Sequence, residues 1–183
     1  MIILASQSPR RQQLMHSITD DFIVEVSHID ESSSLNMTPV NAVRDIAKRK
    51  GLDIHNKYPH DLVLSADTIV VIDNQIIGKP VDEKDAKRIL KLLSGRTHHV
   101  LTAFYLIKDN KEYEEVVDSE VTFEQLSDSL IDEYIKSGSP MDKAGAYGAQ
   151  DNNDFKLIKK ITGSWSNVIG FPVDEIKIAI NKF

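Results

Sequence analysis

The stretch from Leu62 to Asp73, Leu-Val-Leu-Ser-Ala-Asp-Thr-Ile-Val-Val-Ile-Asp, restricts the fold more than any other. It is apolar and rich in β-branched residues on both sides of Asp67. A run of this kind without clean alternation is the pattern of a strand in a sheet covered on both faces. An ionised carboxylate in such a place loses hydration and requires a cation, a metal or a proton. Two readings fit Asp67. It is a working carboxylate, used together with Thr68 beside it, or a strand-end aspartate that bonds a neighbouring turn. Buried charges occur in both settings.

A chain of 183 residues has room for one domain with a substantial core, or for two small lobes sharing a cleft. It contains no cysteine, which excludes disulfides, thiolate metal sites and a cysteine nucleophile. Any metal must be held by oxygen or imidazole, and carboxylate ligands favour hard ions such as magnesium or manganese. No apolar run is long enough to cross a bilayer. The N-terminus, Met-Ile-Ile-Leu-Ala-Ser, reads as a first strand rather than a signal peptide, so a cytoplasmic location is expected. The net charge of −6 argues against nucleic acid as a partner. It leaves room for a small anionic ligand if basic residues gather in one place.

Ile2 to Ala5 is the first strand candidate. Ser8 follows as a natural N-cap and Pro9 suits the first helical position. Arg10 and Arg11 then fall in the first helical turn, the wrong sign for the helix dipole. Two guanidinium groups beside free backbone N–H groups suit a bound phosphate; the plainer reading leaves both solvated. Phe22 to Val26 reads as a second strand ending near Asp30 and Glu31, before a serine-rich loop. Thr38 and Pro39 open a helix that Lys48, Arg49 and Lys50 are expected to end, where cations are favoured. Glu31 is ordinary by itself.

After the Asp67 strand, Asn74 makes a turn and Gln75 to Ile77 returns as a hairpin partner. Pro80 holds Lys79 extended. Asp82 caps a helix through Leu93 with Ala86, Ile89, Leu90 and Leu93 on its core face. His99–Ile107 and Glu115–Phe123 are two further strands, joined by the polar segment 108–114. His98 and His99 are neighbours and point to opposite faces of a strand, so they are read as structural or surface residues. A helix follows over Asp128–Ser137, closed by Gly138. The run Met141 to Gln150 has too much glycine for a helix and too little alternation for a strand. It is either backbone packed close to a ligand or a tightly turned loop with nothing bound. Phe155–Ile161 is a last strand candidate. Trp165 fits base stacking, but a lone tryptophan is more often packed in a core or at a rim. Pro172 opens a final amphipathic helix. Alternating strands and helices with a meander in the second half predict an α/β fold with a mixed, twisted sheet and flanking helices.

Five stretches, kept in one order along the chain, resemble the Maf family of nucleoside triphosphate pyrophosphatases, also named septum formation inhibitors. They are Leu4-Ala-Ser-Gln-Ser-Pro-Arg-Arg11, Ala66-Asp-Thr-Ile-Val70, Gly78-Lys-Pro80, Leu93-Ser-Gly-Arg-Thr-His98 and Asp142-Lys-Ala-Gly-Ala-Tyr-Gly148. The resemblance implies one domain over 1–183, an inosine-triphosphatase-like fold with two lobes around a nucleotide cleft, and often a homodimer. It implies hydrolysis between the α and β phosphates with a divalent metal, magnesium or manganese. Asp67 is then the proton acceptor, and Glu31 with Asp67 the metal ligands. Ser8, Arg11, Lys50, Lys79 and Lys143 fall to phosphate or substrate binding. Arg10, Thr68 and Gln150 stand where the subgroup acting on dTTP and UTP sets its specificity.

Two departures stand out. The family usually continues Tyr-Gly-Ile-Gln-Gly, whereas this chain has Tyr147-Gly-Ala-Gln-Asp151, which puts a carboxylate beside Gln150. Around Lys50 the chain reads Lys-Arg-Lys-Gly in place of the usual glutamate and alanine. The expected activity is a house-cleaning dTTP and UTP pyrophosphatase. The competing expectation is a nucleotide-binding regulator of septum formation that acts through protein contacts.

Overall fold

The computed structural model describes residues 1–183, leaving aside the side chains of Ser33 and Leu35. Strands and helices follow in the order β1 (Ile2–Ala5), α1 (Pro9–Met15), β2 (Phe22–Glu25), α2 (Pro39–His55), β3 (Leu62–Ile72), β4 (Gln75–Ile77), α3 (Glu83–Leu93), β5 (Thr97–Lys108) and β6 (Lys111–Phe123). Then come α4 (Asp128–Lys136), α5 (Asn152–Phe155), β7 (Ile158–Thr162), α6 (Trp165–Ile169) and α7 (Val173–Ile180). The strands bond in the order β2-β1-β3-β5-β6-β7, with β4 on β3. β1 runs parallel to β2 and β3, while β4 and β7 lie antiparallel to β3 and β6. The sheet is therefore mixed, as the alternation of elements requires. Parallel pairs need crossover connections, which α1 and α2 supply.

The chain divides into two compact units. The first comprises 1–68, 102–117 and 170–183. Along β3, Leu62, Leu64 and Ala66 join Met15, Phe104, Leu106, Phe171 and Ile176 in one core. Ser65, one residue out of that period, donates from Oγ to the Ala47 carbonyl of α2 at 2.6 Å. Asp67 shares the Ser65 face because side chains alternate along a strand.

Four features differ from the sequence expectation. α2 runs on to His55, so Lys48, Arg49 and Lys50 lie inside it and their charges are not explained by its C-terminus. Gly51 lets the helix continue at close range: a Cβ there would lie 2.5 Å from Tyr105 Cδ1 and 2.7 Å from Ser65 Oγ. β2 stops at Glu25, and the serine-rich segment forms a short 3-10 turn over Ser32–Asn36. The hairpin of β5 and β6 is tighter than expected, because both strands extend until only Asp109 and Asn110 separate them. The last strand begins later, at Ile158, after the single turn of α5.

The second unit comprises 69–101 and 118–169. Its core gathers Val70, Ile89, Leu90, Leu93, Phe123, Tyr134 and Tyr147. His98 is fully buried there, with Nε2 2.7 Å from Tyr147 Oη and its ring edge-on to Phe123. His99 instead pairs with Asp118 at 2.9 Å and is partly exposed, so the two histidines separate as their adjacency requires. Burial pulls His98 down to about 3. Its Nδ1 has no hydrogen-bond partner among the described residues, so protonation would bury an unpaired N–H. No described helix is long and apolar enough to cross a membrane.

Two outcomes follow from this packing. Gly51→Ala gains helix propensity but must push Tyr105 and Ser65 aside, and overpacking costs about 1–3 kcal/mol; urea unfolding will show a net loss of stability. His98 is neutral when folded and has its ordinary basicity when unfolded. Its contribution to stability is therefore complete above pH ~6.5 and falls by about 1.4 kcal/mol per pH unit towards pH ~3. Urea midpoints measured between pH 7 and 5 will fall more steeply for the wild type than for His98→Gln.

Candidate active site

The first unit brings seven of the sequence candidates together. Ser8 caps α1, its Oγ accepting from Arg11 N at 3.4 Å, and Pro9 holds the first helical position. This turn sets Arg10 and Arg11 at the start of α1, just after β1. Asp67 lies inside β3 and is 8% exposed. Lys50 reaches it from α2, with Nζ 2.9 Å from Asp67 Oδ1. The same ammonium stands 2.8 Å from Glu31 Oε1. Lys50 thus joins a buried carboxylate to a half-exposed one and offsets the charge that the strand cannot solvate.

Burial pushes the Asp67 carboxyl above the usual carboxylate range, and Lys50, then Arg11, draw it back. The result is a carboxylate more basic than a solvated aspartate, flanked by cations that favour its ionised form. Burial also lowers Arg11, against the pull of Asp67; an arginine so lowered still carries its charge at neutral pH.

Arg11 has a second set of contacts. Its Nε donates to the Gly170 carbonyl at 2.8 Å, Nη1 to the Ala66 carbonyl at 2.9 Å and Nη2 to Thr68 Oγ1 at 3.0 Å. Thr68 Oγ1 also lies 2.9 Å from Thr102 Oγ1 and 3.3 Å from the Gly170 carbonyl. Gly170 has φ +113°, and a Cβ there would stand 3.3 Å from Thr68 Oγ1. Three of the five guanidinium N–H groups are therefore spent on the chain, which leaves two for a ligand. Neighbouring residues of β3 face different partners: Asp67 turns to Lys50, and Thr68 turns to Arg11.

Lys79, Lys143 and Gln150 belong to the second unit. Lys79 is exposed on the short link between β4 and α3. Lys143 was expected on the substrate, but its ammonium donates to the Ser139 carbonyl at 2.5 Å, Ser139 Oγ at 3.0 Å and Asp142 Oδ1 at 2.9 Å. An ammonium has three N–H groups, so Lys143 braces its own loop. Gln150 is exposed in the 3-10 turn Ala149–Asp151. The glycine-rich run forms a chain of such turns; Gly145 has φ +73° and packs against Val70, leaving no room for a Cβ. Trp165 opens α6 and is 49% exposed.

Gly170 and Thr102 were not singled out from the sequence. Thr102 was detectable as a hydroxyl inside the apolar run Val100–Phe104, the signal that marked Asp67. Gly170 gave no comparable signal, because its role is a carbonyl position.

Among the described residues no group of three or more histidines and acids is arranged to hold a metal. Glu31 and Asp67 nonetheless fit a hard cation. Both supply oxygen, each bonds Lys50 through one oxygen, and magnesium takes only one or two protein carboxylates when phosphate and water supply the rest.

A family model described as Maf-like protein matches residues 1–183. The dTTP/UTP pyrophosphatase of Thermococcus onnurineus (strain NA1) is 43% identical over 174 residues, covering 95% of this chain and 93% of that protein. The dTTP/UTP pyrophosphatase of Clostridium beijerinckii is 43% identical over 185 residues, covering 99% and 98%. Among solved structures, a HAM1 protein from Coxiella burnetii aligns over 100% of this chain and 98% of its own, with TM-score 0.54 and 15% identity. The Staphylococcus aureus Ham1 protein aligns over 99% and 98%, with TM-score 0.55 and 10% identity. Those two likenesses are of fold alone. The family match over the full length, with relatives above 40% identical across nearly all of both chains, means that this protein belongs to the Maf family.

Proposed function

We propose that this chain, working as one domain in the cytoplasm, hydrolyses dTTP and UTP to the monophosphate and pyrophosphate. The observation that carries the reading is Asp67: a carboxylate buried in β3, made more basic by burial and kept ionised by Lys50, beside the α1 turn that bears Arg10 and Arg11. The names of the relatives support the choice of nucleotide.

Asp67 takes a proton from the water that attacks the α phosphorus. Lys50 holds the carboxylate in orientation through the attack. Arg10, the two uncommitted N–H groups of Arg11, and Lys79 bind phosphate oxygens and offset the charge that moves onto the leaving pyrophosphate. Glu31 and Asp67 would hold a magnesium or manganese ion, which when bound would supply further charge stabilisation at the phosphates. Arg10, Thr68 and Gln150 set the preference for the pyrimidine. Gln150 reads the base edge by hydrogen bonds, and a base that leaves such a group unpaired is rejected. Thr68 acts from a fixed position, clamped by Arg11 and Thr102.

Pyrophosphate release will be measured with dTTP, UTP, CTP, dATP, GTP and 7-methyl-GTP in magnesium or manganese. Release from dTTP and UTP above the rest is expected. Asp67→Asn keeps the fold and the bound nucleotide but loses turnover by about 10²–10⁴-fold, the usual worth of a general base. Near-wild-type turnover in that variant would remove Asp67 from the mechanism. No release from any nucleotide, with binding retained, would replace the enzyme by a nucleotide-binding regulator. Thr68→Val strips Arg11 of a buried acceptor and costs about 1–3 kcal/mol in urea unfolding. Thr68→Ser keeps the hydroxyl and recovers most of the stability and of the dTTP activity; equal loss in both variants would show that packing of the methyl, not the bond to Arg11, is what matters.

A further inference from the structure

Asp151 stands next to Gln150 and carries a charge of the same sign as the proposed substrate. Its side chain is nevertheless engaged inside the second unit. Oδ2 accepts from Tyr134 Oη at 2.7 Å and from Ser139 Oγ at 2.6 Å. Tyr134 is fully buried, and its Oη accepts the Gly148 N–H at 3.0 Å. Asp151 N–H in turn donates to the Gly148 carbonyl at 3.0 Å. Both ends of the segment 148–151 are thus tied to the same phenol oxygen, one by its backbone and the other by its carboxylate. Ser139 Oγ also accepts from Lys143 Nζ, whose stem passes close to Gly148: a Cβ on Gly148 would lie 2.8 Å from Lys143 Cε. The same Cβ would lie 2.9 Å from Gln150 Nε2, so the Gln150 amide rests over the bare Gly148 backbone.

A carboxylate accepting from a buried phenol makes a short, charge-assisted bond, stronger than a neutral pair. The donors also take up its charge locally. Burial, then Asp151, raises the Tyr134 phenol, so the phenol keeps the proton that it donates. Gln150 is the exposed residue inside this closed turn, and its direction is set by the two fastened ends.

We propose that Asp151 is a positioning residue for base selection: through Tyr134 and Ser139 it fixes the turn that presents Gln150 to the pyrimidine. The inference rests on the reading of Gln150 given above. Asp151 itself makes no contact with the nucleotide, and the residue that stands where the family pattern has glycine replaces freedom of the turn by an anchor.

The test measures kcat and KM for dTTP, UTP and CTP in Gln150→Ala, Asp151→Ala, Asp151→Asn and Tyr134→Phe, beside thermal unfolding of each. A simple loss of folded enzyme lowers the apparent kcat for every nucleotide equally. It leaves KM and the ratio of kcat/KM values unmoved, so those two readouts separate positioning from structure. Gln150→Ala is expected to lower the dTTP-over-CTP ratio. Asp151→Ala and Tyr134→Phe are expected to lower it in the same direction, by roughly tenfold, with KM for dTTP rising more than kcat falls. Asp151→Asn retains an oxygen that accepts from both hydroxyls and stays within about twofold of wild type. If Gln150→Ala shifts the ratio and Asp151→Ala does not, the positioning role is overturned while the reading of Gln150 stands. If Gln150→Ala leaves the ratio unchanged, the reading of Gln150 fails and the role of Asp151 fails with it.

Discussion

An aspartate inside an apolar strand is tolerable only with a cation at hand, and the placement of that cation organises the first unit. Lys50 can reach Asp67 because α2 lies hard against β3. The approach is set by Gly51, which leaves room for Tyr105 and Ser65, and by the Ser65–Ala47 bond, which ties strand to helix. Removing one partner of a buried ion pair strands the other charge, which is far costlier than never having had the pair. Lys50 is therefore part of what holds the fold together. Its contact with Glu31 brings a second carboxylate from a loop that nothing in its own sequence would direct there.

The period of the strand then divides the work. Asp67, on the α2 side, pairs with the Lys50 ammonium. Thr68, one residue on, turns to Arg11 and to the Gly170 carbonyl. A single step along β3 thus sets a carboxylate and a hydroxyl against different supports, and each can be held without competing for the same partners. Arg11 links the two electrostatically, since it lies close enough to lower the Asp67 carboxyl while its hydrogen bonds go to carbonyls and a hydroxyl.

Much of this was legible from residue patterns. The β3 run announced a covered strand because its apolar residues do not alternate, and Asp67 was conspicuous by contrast. Ser8 and Pro9 marked the start of α1 through local capping chemistry, which depends on neighbours in sequence alone. The end of α2 was misjudged because three basic residues followed by glycine look like a C-terminus; Gly51 is there for helix–sheet packing, a tertiary reason. The bracing of Lys143 and the anchoring of Asp151 were equally hidden. Both depend on Ser139, and Asp151 also on Tyr134, seventeen positions earlier. Pattern shows which residues are unusual, whereas partners at such separations emerge only from the folded chain.

The bond from Arg11 Nε to the Gly170 carbonyl joins positions 159 residues apart. Contacts of such sequence separation form late, since the intervening chain must be ordered first. On a ribosome Arg11 emerges long before its acceptor has been made. A growing chain therefore carries its basic turn without the carbonyl that aligns the guanidinium, and the contacts of Arg11 are complete only once Gly170 has folded back. Synthesis itself thus withholds one support of Arg11 until Gly170 has been added.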